Sequence, residues 1–292
     1  MSERVFIVGA GRVGQGLARA FRSAGVEIVG VHGKRAAAGA TSHGTLPADI
    51  SRANTVILAV RDDQIEAALD QVLGGAQYSG PEPLTSGTVI LHTSGTAEPA
   101  GFEVIDERGL YGGTFHPLVP FLDPDRAPEL LRGAWVGIDG HSDARSTSRR
   151  LAGHVGARTI DIPGGGKPTY HAAAVFSANF PIVLAAIAAE LMESIGVGAK
   201  SAESAVHSLM TGALANAAGK SPEQALTGPV VRGDAVMVRK HLDALAGDDR
   251  ALGVYRRLSL AALRMAKERG TDPVALAQIE RALLPGKTTI SR

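Results

Sequence analysis

A lysine, a histidine and an asparagine interrupt GGGKPTYHAAAVFSANF (164–180), a stretch that is otherwise almost wholly apolar. Pro168 suits the first turn of a helix, which puts Lys167 at its N-terminal cap. His171 lies four residues on, about 40° around the helix, so the two side chains can meet over one small volume. Asn179 is two turns further and about 80° from His171, where it can flank the same cleft. An amine and an imidazole side by side can hand a proton to an oxygen or nitrogen that gains charge, as reduction of a carbonyl or imine by hydride requires. Imidazole titrates near neutral pH by itself, so either Lys167 or His171 can be the donor. Taken alone, a solvated helix cap and a satisfied core histidine explain both residues better; the remainder of the sequence reverses that preference.

FIVGAGRVGQG (6–16) spaces Gly9, Gly11 and Gly14 as G-x-G-x-x-G, after an apolar run and before a helical one. The three glycines serve different ends. Gly9 permits a tight turn, Gly11 lets a diphosphate approach the backbone, and Gly14 lets helix and strand pack closely. The helix then offers free N–H groups and a positive dipole end to the phosphates. A dinucleotide is therefore expected along Gly9, Ala10, Gly11, Arg12, Val13 and Gly14. The second strand runs into VHGKR (31–35), with no acid to hold ribose hydroxyls. His32, Lys34 and Arg35 stand there instead, and cations suit a 2′-phosphate. NADP(H) is thus the preferred cofactor, with NAD(H) possible.

Ligands of such sheets sit beyond the C-terminal ends of the strands. TVILAVRDDQI (55–65) ends in Val60, Arg61 and Asp62, and TVILHTSGTAEP (88–99) ends in His92, Thr93 and Ser94. The Ser94 hydroxyl and the N–H groups near Gly95 could hold a carboxylate. GGTFHPLVPF (112–121) puts His116 and Pro117 after another short apolar run. In the second half, TGALAN (211–216) carries Thr211 and Asn216, and LTGPVVRGD (226–234) carries Arg232, whose planar fork fits a carboxylate, and Asp234, which could orient it or cap a helix. No metal is expected, because His92, His116 and His171 lack ligand spacing. A serine hydrolase is not supported either, since HTSGT is not a G-x-S-x-G turn.

These residues need elements to hold them. In the first half β-branched runs at 4–8, 26–31, 55–60, 88–93, 134–138 and 157–162 alternate with helical spacing such as Leu17, Ala20, Phe21 and Ala24, or Ile65, Ala68, Leu69 and Val72. That alternation implies crossover units and a mainly parallel sheet. From Pro168 onward Ala- and Leu-rich stretches predict helices over 168–195, 199–218, 222–227, 234–246, 248–269 and 272–284. Ser221-Pro222 and Asp272-Pro273 are N-cap and first-turn pairs. The change of pattern at the GGG segment divides the chain into a dinucleotide-binding domain, 1–163, and an all-helical substrate and dimerisation domain, 164–292.

The 292 residues suffice for two cores, and a formal net charge of +1 gives no reason to expect nucleic acid or an anionic membrane as partner. Without cysteine there are no disulfides and no thiolate chemistry, which fits a reducing cytoplasm. The N-terminal MSERVFIVGAG lacks the pattern of a signal peptide, and no run of about 18 consecutive apolar residues suggests a membrane span.

Together AVRDD, HTSGTAEP and FHPL resemble the pyrroline-carboxylate reductases, prephenate dehydrogenases, ketopantoate reductases and β-hydroxyacid dehydrogenases. HTSG (92–95), FHPL (115–118), YHAAAVFSAN (170–179) and LTGPVVRGD (226–234) are more narrowly similar to bacterial Rossmann-like oxidoreductases whose C-terminal domain has long been catalogued as of unknown function. The resemblance implies a doubly wound Rossmann domain followed by an all-α domain like the C-terminal domain of 6-phosphogluconate dehydrogenase, and a homodimer. It implies reduction of a small 2-oxo acid, with ketopantoate the leading substrate, in the cytoplasm. In the hydroxyacid and ketopantoate enzymes a Lys-x-x-x-Asn pair serves the reaction; here the matching pair is Lys167 and His171. His92, Ser94, His116, Asn179, Asn216 and Arg232 are the expected substrate contacts, and Val60, Arg61 and Asp62 border the nicotinamide ribose. The alternatives are an imine reductase of the pyrroline-carboxylate type and a protein that binds NADP to regulate a partner without turnover.

Overall fold

The computed structural model describes residues 2–74, 84–97, 105 and 108–284. It divides into two compact units, 1–179 and 180–292. The helix expected to open the second domain therefore belongs to the first unit, and the reason is the anchoring of Lys167 set out below.

In the first unit the chain runs β1 (Arg4–Val8), α1 (Arg12–Ser23), β2 (Glu27–Gly33), β3 (Ser42–His43), β4 (Thr55–Leu58), α2 (Ile65–Leu73) and β5 (Val89–His92). It continues through β6 (Tyr111–Pro117), α3 (Ala127–Leu131), β7 (Trp135–Gly140), α4 (Ser142–His154), β8 (Arg158–Asp161) and α5 (Lys167–Ala178). The strands form one sheet in the order β3-β2-β1-β4-β5-β6-β7-β8. All neighbouring pairs are parallel except β6 with β7. This is the expected doubly wound sheet, reversing direction between β1 and β4, where such folds hold their ligands.

Alternation along the strands sorts the core into two faces. Val5 and Ile7 of β1 join Leu17 and Phe21 of α1, Phe115 of β6 and Leu151 of α4 on one face. Phe6 and Val8 join Ile65, Leu69 and Val72 of α2 on the other. Periodicity did not mark β6, nor the two-residue β3. The YGGTFHP of β6 has two glycines and a proline, poor strand formers that gain their place from hydrogen bonds to β5 and β7.

The second unit consists of helices α6 (Phe180–Ser194), α7 (Ala199–Ala217), α8 (Pro222–Ala225), α9 (Ala235–Ala244), α10 (Asp249–Glu268) and α11 (Pro273–Leu283). Ser221 closes a capping box with Gln224, and Asp272 accepts from the N–H groups of Val274 and Ala275. Val238, Ala266, Ile279 and Leu283 form its larger core, and Ala189, Ala202 and Val206 a smaller one. The single helix expected over 168–195 is instead two, parted at Asn179. Pro181 explains the break, because it has no N–H to donate back and its ring crowds the preceding turn. The stretch Lys167–Ser194 is long and apolar enough to cross a membrane by length and composition, its most apolar 18-residue window having a mean hydropathy of 2.0. Much of its surface is exposed, although Lys167 itself is fully buried within the first unit.

Candidate active site

The glycine turn has the geometry its sequence implies. Gly9 has φ +118°, and a side chain there would meet the Ala59 carbonyl oxygen at 2.2 Å. A Cβ on Gly14 would fall 1.8 Å from the Gly9 carbonyl oxygen, so the helix can sit on the turn only because this residue is glycine. At Gly11 a Cβ would meet nothing within 4 Å, which leaves the backbone open to a ligand. Gly11 caps α1, whose first turn holds no acid. Gln15 Nε2 donates to the Ala10 carbonyl at 2.7 Å and fixes the turn. An anionic diphosphate fits this open backbone and helix terminus. At the end of β2, His32 is buried with its Nδ1 3.0 Å from Ser42 Oγ, while Lys34 and Arg35 are exposed. Burial lowers the pKa of His32 below its ordinary value, so the free cations at this end are Lys34 and Arg35.

The ends of β4 and β5 are tied together. Arg61 is bound by Asp63 at 2.7 Å, and Thr96 Oγ1 donates to Asp62 Oδ2. Val60 is half-buried beside them. Ser94 Oγ accepts from the N–H groups of Thr96 at 3.1 Å and Ala97 at 2.9 Å, and the residue is buried. Its oxygen is therefore engaged in shaping the loop, and it also lies 3.3 Å from Thr96 Oγ1. Glu98 and Pro99 of the same motif lie outside the described residues.

Lys167 is engaged in the same way. Strand register aligns His92 of β5 with Thr114 of β6, and Thr114 with Asp139 of β7. The three side chains form a polar row across the sheet, and Lys167 of α5 closes over it. Its Nζ donates to Thr114 Oγ1 at 2.7 Å and to the Ala97 carbonyl, and it pairs with Asp139 Oδ2 at 3.1 Å. His92 Nε2 is 3.4 Å away. Burial first, and then the adjacent Lys167 charge, push the pKa of His92 down to about 3, so its ring is neutral. Its Nδ1 accepts from the Ser94 N–H, which places the ring proton on Nε2, toward Thr114. Lys167 is thus a buried, fully partnered cation that pins the start of α5 to the sheet, and its N–H groups are already committed.

One helical turn on, Tyr170 lies over the next pair of the same strands, His116 of β6 and Gly137 of β7. His116 Nδ1 and Tyr170 OH are 2.9 Å apart. A Cβ on Gly137 would come within 2.2 Å of the same hydroxyl, so glycine is required there. The His171 ring centroid is 6.1 Å from that of His116. Both rings converge on Gly95, where a Cβ would meet His171 Nδ1 at 2.7 Å and His116 Cε1 at 2.8 Å. His171 Nδ1 is buried without a hydrogen-bond partner. Burial, and next the nearby His171, push the pKa of His116 down to about 4, while burial pushes that of Tyr170 up to about 12. At neutral pH one is an uncharged imidazole and the other an intact phenol.

A cleft of ≈310 Å³ joins the two halves of this arrangement. It is lined by Arg12 and Val13 of the glycine turn, Thr93 after β5, His116 and Pro117 of β6, and Val119 and Phe121. Asn179 is exposed at the end of α5, and Asn216 and Arg232 are exposed in the second unit, on α7 and on the turn before α9. Sequence pattern did not mark Thr114, Asp139 or Tyr170, and the last, in an apolar helix, reads as core. Its signal was the one-turn spacing from Lys167. Among the described residues no cluster of His, Cys, Asp and Glu could hold a metal ion.

Residues 134–262 match the family model described as "Domain of unknown function (DUF2520)". No curated protein matches the chain. The fold is that of a Thermotoga maritima protein of known structure, with a TM-score of 0.67 and 21% identity over 91% of this chain and 99% of that one. It is also that of the NADP-bound pyrroline carboxylate reductase of Plasmodium falciparum, with a TM-score of 0.60 and 12% identity over 95% of this chain and 98% of that one. A reductive aminase of Aspergillus terreus, solved with NADPH and ethyl levulinate, matches with a TM-score of 0.60 and 20% identity over 96% of this chain and 99% of that one. The expected pairing of a Rossmann domain with a helical one is therefore correct.

Proposed function

We propose that this chain is an NADPH-dependent reductase that adds hydride and a proton across the polarised double bond of a small molecule. The observation that carries the reading is a single cleft bordered both by Arg12 and Val13 of the glycine turn and by His116. Gly11 and the start of α1 would hold the diphosphate, and Lys34 and Arg35 the 2′-phosphate. The absence of an acid after β2 favours NADP(H) over NAD(H). The solved relatives bound to NADP and NADPH support the same choice. When bound, the reduced dinucleotide supplies the hydride. The chain's own residues hold the substrate, keep water from it and deliver the proton.

Both C=O and C=N substrates fit this chemistry. A 2-oxo acid such as ketopantoate is what the sequence resemblance implies, and its carboxylate needs a donor. Of the groups expected to serve in the first unit, Ser94 is engaged by its own loop and Lys167 is neutralised by Asp139. That engagement favours a substrate without a carboxylate, such as a simple imine or a neutral carbonyl like the ethyl levulinate with which one relative was solved. Loss of NADPH absorbance with 1-pyrroline, pyrroline-5-carboxylate, pyruvate and ketopantoate tests the reading. Turnover of 1-pyrroline above the three carboxylates is the expected result. NADPH binding with no turnover of any of the four would support a regulatory nucleotide-binding protein instead.

A further inference from the structure

We propose that His116 and Tyr170 are the proton-delivery couple of this site: His116 Nε2–H protonates the substrate heteroatom while the Tyr170 hydroxyl replaces that proton at Nδ1. The inference rests on the reductase reading. Its basis is the position of His116, which lines the cleft together with Arg12 and Val13 of the glycine turn. Thr93 and Arg12 are the other polar residues of that lining, and neither a threonine hydroxyl nor a guanidinium gives up a proton readily. Lys167 is committed to Asp139, Thr114 and Ala97, and His171 does not line the cleft.

The direction proposed for the couple runs from phenol to imidazole: the Tyr170 hydrogen points at His116 Nδ1, 2.9 Å away. An imidazole that accepts at Nδ1 carries its hydrogen on Nε2. Burial keeps the ring neutral and the phenol protonated at pH 7. A neutral imidazole alone is a weak acid, because losing its proton would leave an anionic ring. Receiving a proton from Tyr170 in the same step avoids that anion. The charge ends on the phenolate oxygen, and the phenolate is a weaker base than the alkoxide or amide anion it neutralises.

The step balances. The substrate double bond gains a C–H bond and two electrons with the hydride, and its heteroatom gains the Nε2 proton. One N–H of His116 breaks as another forms at Nδ1. The O–H of Tyr170 breaks; solvent then returns a proton to Nε2 as the Nδ1 proton passes back to the phenolate, which restores the starting tautomer. The substrate is reduced and the nicotinamide oxidised.

Tyr170 acts through His116, so the decisive readout is the tautomer of His116 as well as the rate. Nitrogen-15 spectra of the histidine-labelled full chain, assigned by the signal lost in His116→Gln, should show His116 neutral at pH 7 with hydrogen on Nε2 only. Tyr170→Phe should yield a mixture of tautomers. With 1-pyrroline as probe it should lower kcat by about 100-fold, within the range of general-acid effects, with KM little changed. A charged ring, an Nδ1–H tautomer in the wild-type chain, or a Tyr170→Phe rate equal to wild type would overturn the proposal. Absence of turnover with every substrate of the panel overturns the reductase reading and the delivery role with it. The tautomer then distinguishes that failure from a failure of the couple itself.

Discussion

Two imidazoles of this site are held neutral by burial, and that has a measurable consequence for stability. His92 takes a proton only near pH 3 and His116 near pH 4 when folded, while both take one near 6.5 when unfolded. The unfolded chain therefore binds more protons below pH 6.5, so stability must fall as the pH falls from there toward about 4. Each group should cost about 2 kcal/mol between pH 7 and pH 5. Trp135, the one tryptophan, sits on β7 and reports unfolding of the first unit. Its fluorescence in urea should show a lower midpoint at pH 5, a drop that shrinks in His92→Gln. A midpoint independent of pH would contradict the neutral rings. At this scale the sequence was half legible. Lys167 and His171 were conspicuous as polar residues in an apolar run, and helical spacing placed them near each other. Whether Lys167 was a free acid or one end of a buried ion pair depended on Asp139, 28 residues earlier. Only the pairing of β6 with β7 brings that carboxylate under the amine.

Elements were read best where local rules act alone. The helix starts at Ser221-Pro222 and Asp272-Pro273 formed as their caps require. The break at Asn179 was missed although Pro181 signalled it, because the apolar run dominated the pattern. β6 was missed because its residues are there for tertiary reasons: Gly113 makes room for Ala144 of α4, while Thr114 and His116 face α5. The glycine turn was fully legible, and its three glycines should fail differently. Gly14→Ala puts a methyl group into the Gly9 carbonyl and should destabilise the fold by about 1–3 kcal/mol. Gly11→Ala adds its methyl group to open space, so melting should change little while NADPH affinity drops at least about tenfold. A Gly11→Ala protein that binds NADPH like wild type would remove the dinucleotide from this turn.

At the scale of the whole molecule, the second unit has more apolar surface than it covers. Ile182 of α6 is 70% exposed, and Leu209 of α7 is 70% exposed. Patches of this kind on packed helices mark contacts with another protein. We propose that a second copy of this chain covers them, as the sequence resemblance implies, and that the protein works in the cytoplasm. Sedimentation equilibrium should give twice the 30.1 kDa of the chain, and Ile182→Glu with Leu209→Glu should give the single mass. A wild-type monomer would leave these faces to another partner. Which cofactor end meets which proton donor is the claim on which the whole account stands, and NADPH titration of the histidine-labelled chain tests it most directly. Because Arg12, Val13 and His116 border one cleft, NADPH should shift the His116 ring signals in step with its binding, and Gly11→Ala should move that shift to at least about tenfold higher NADPH. NADPH that binds and leaves the His116 signals where they were would place the dinucleotide and the acid in different sites, and contradict the account.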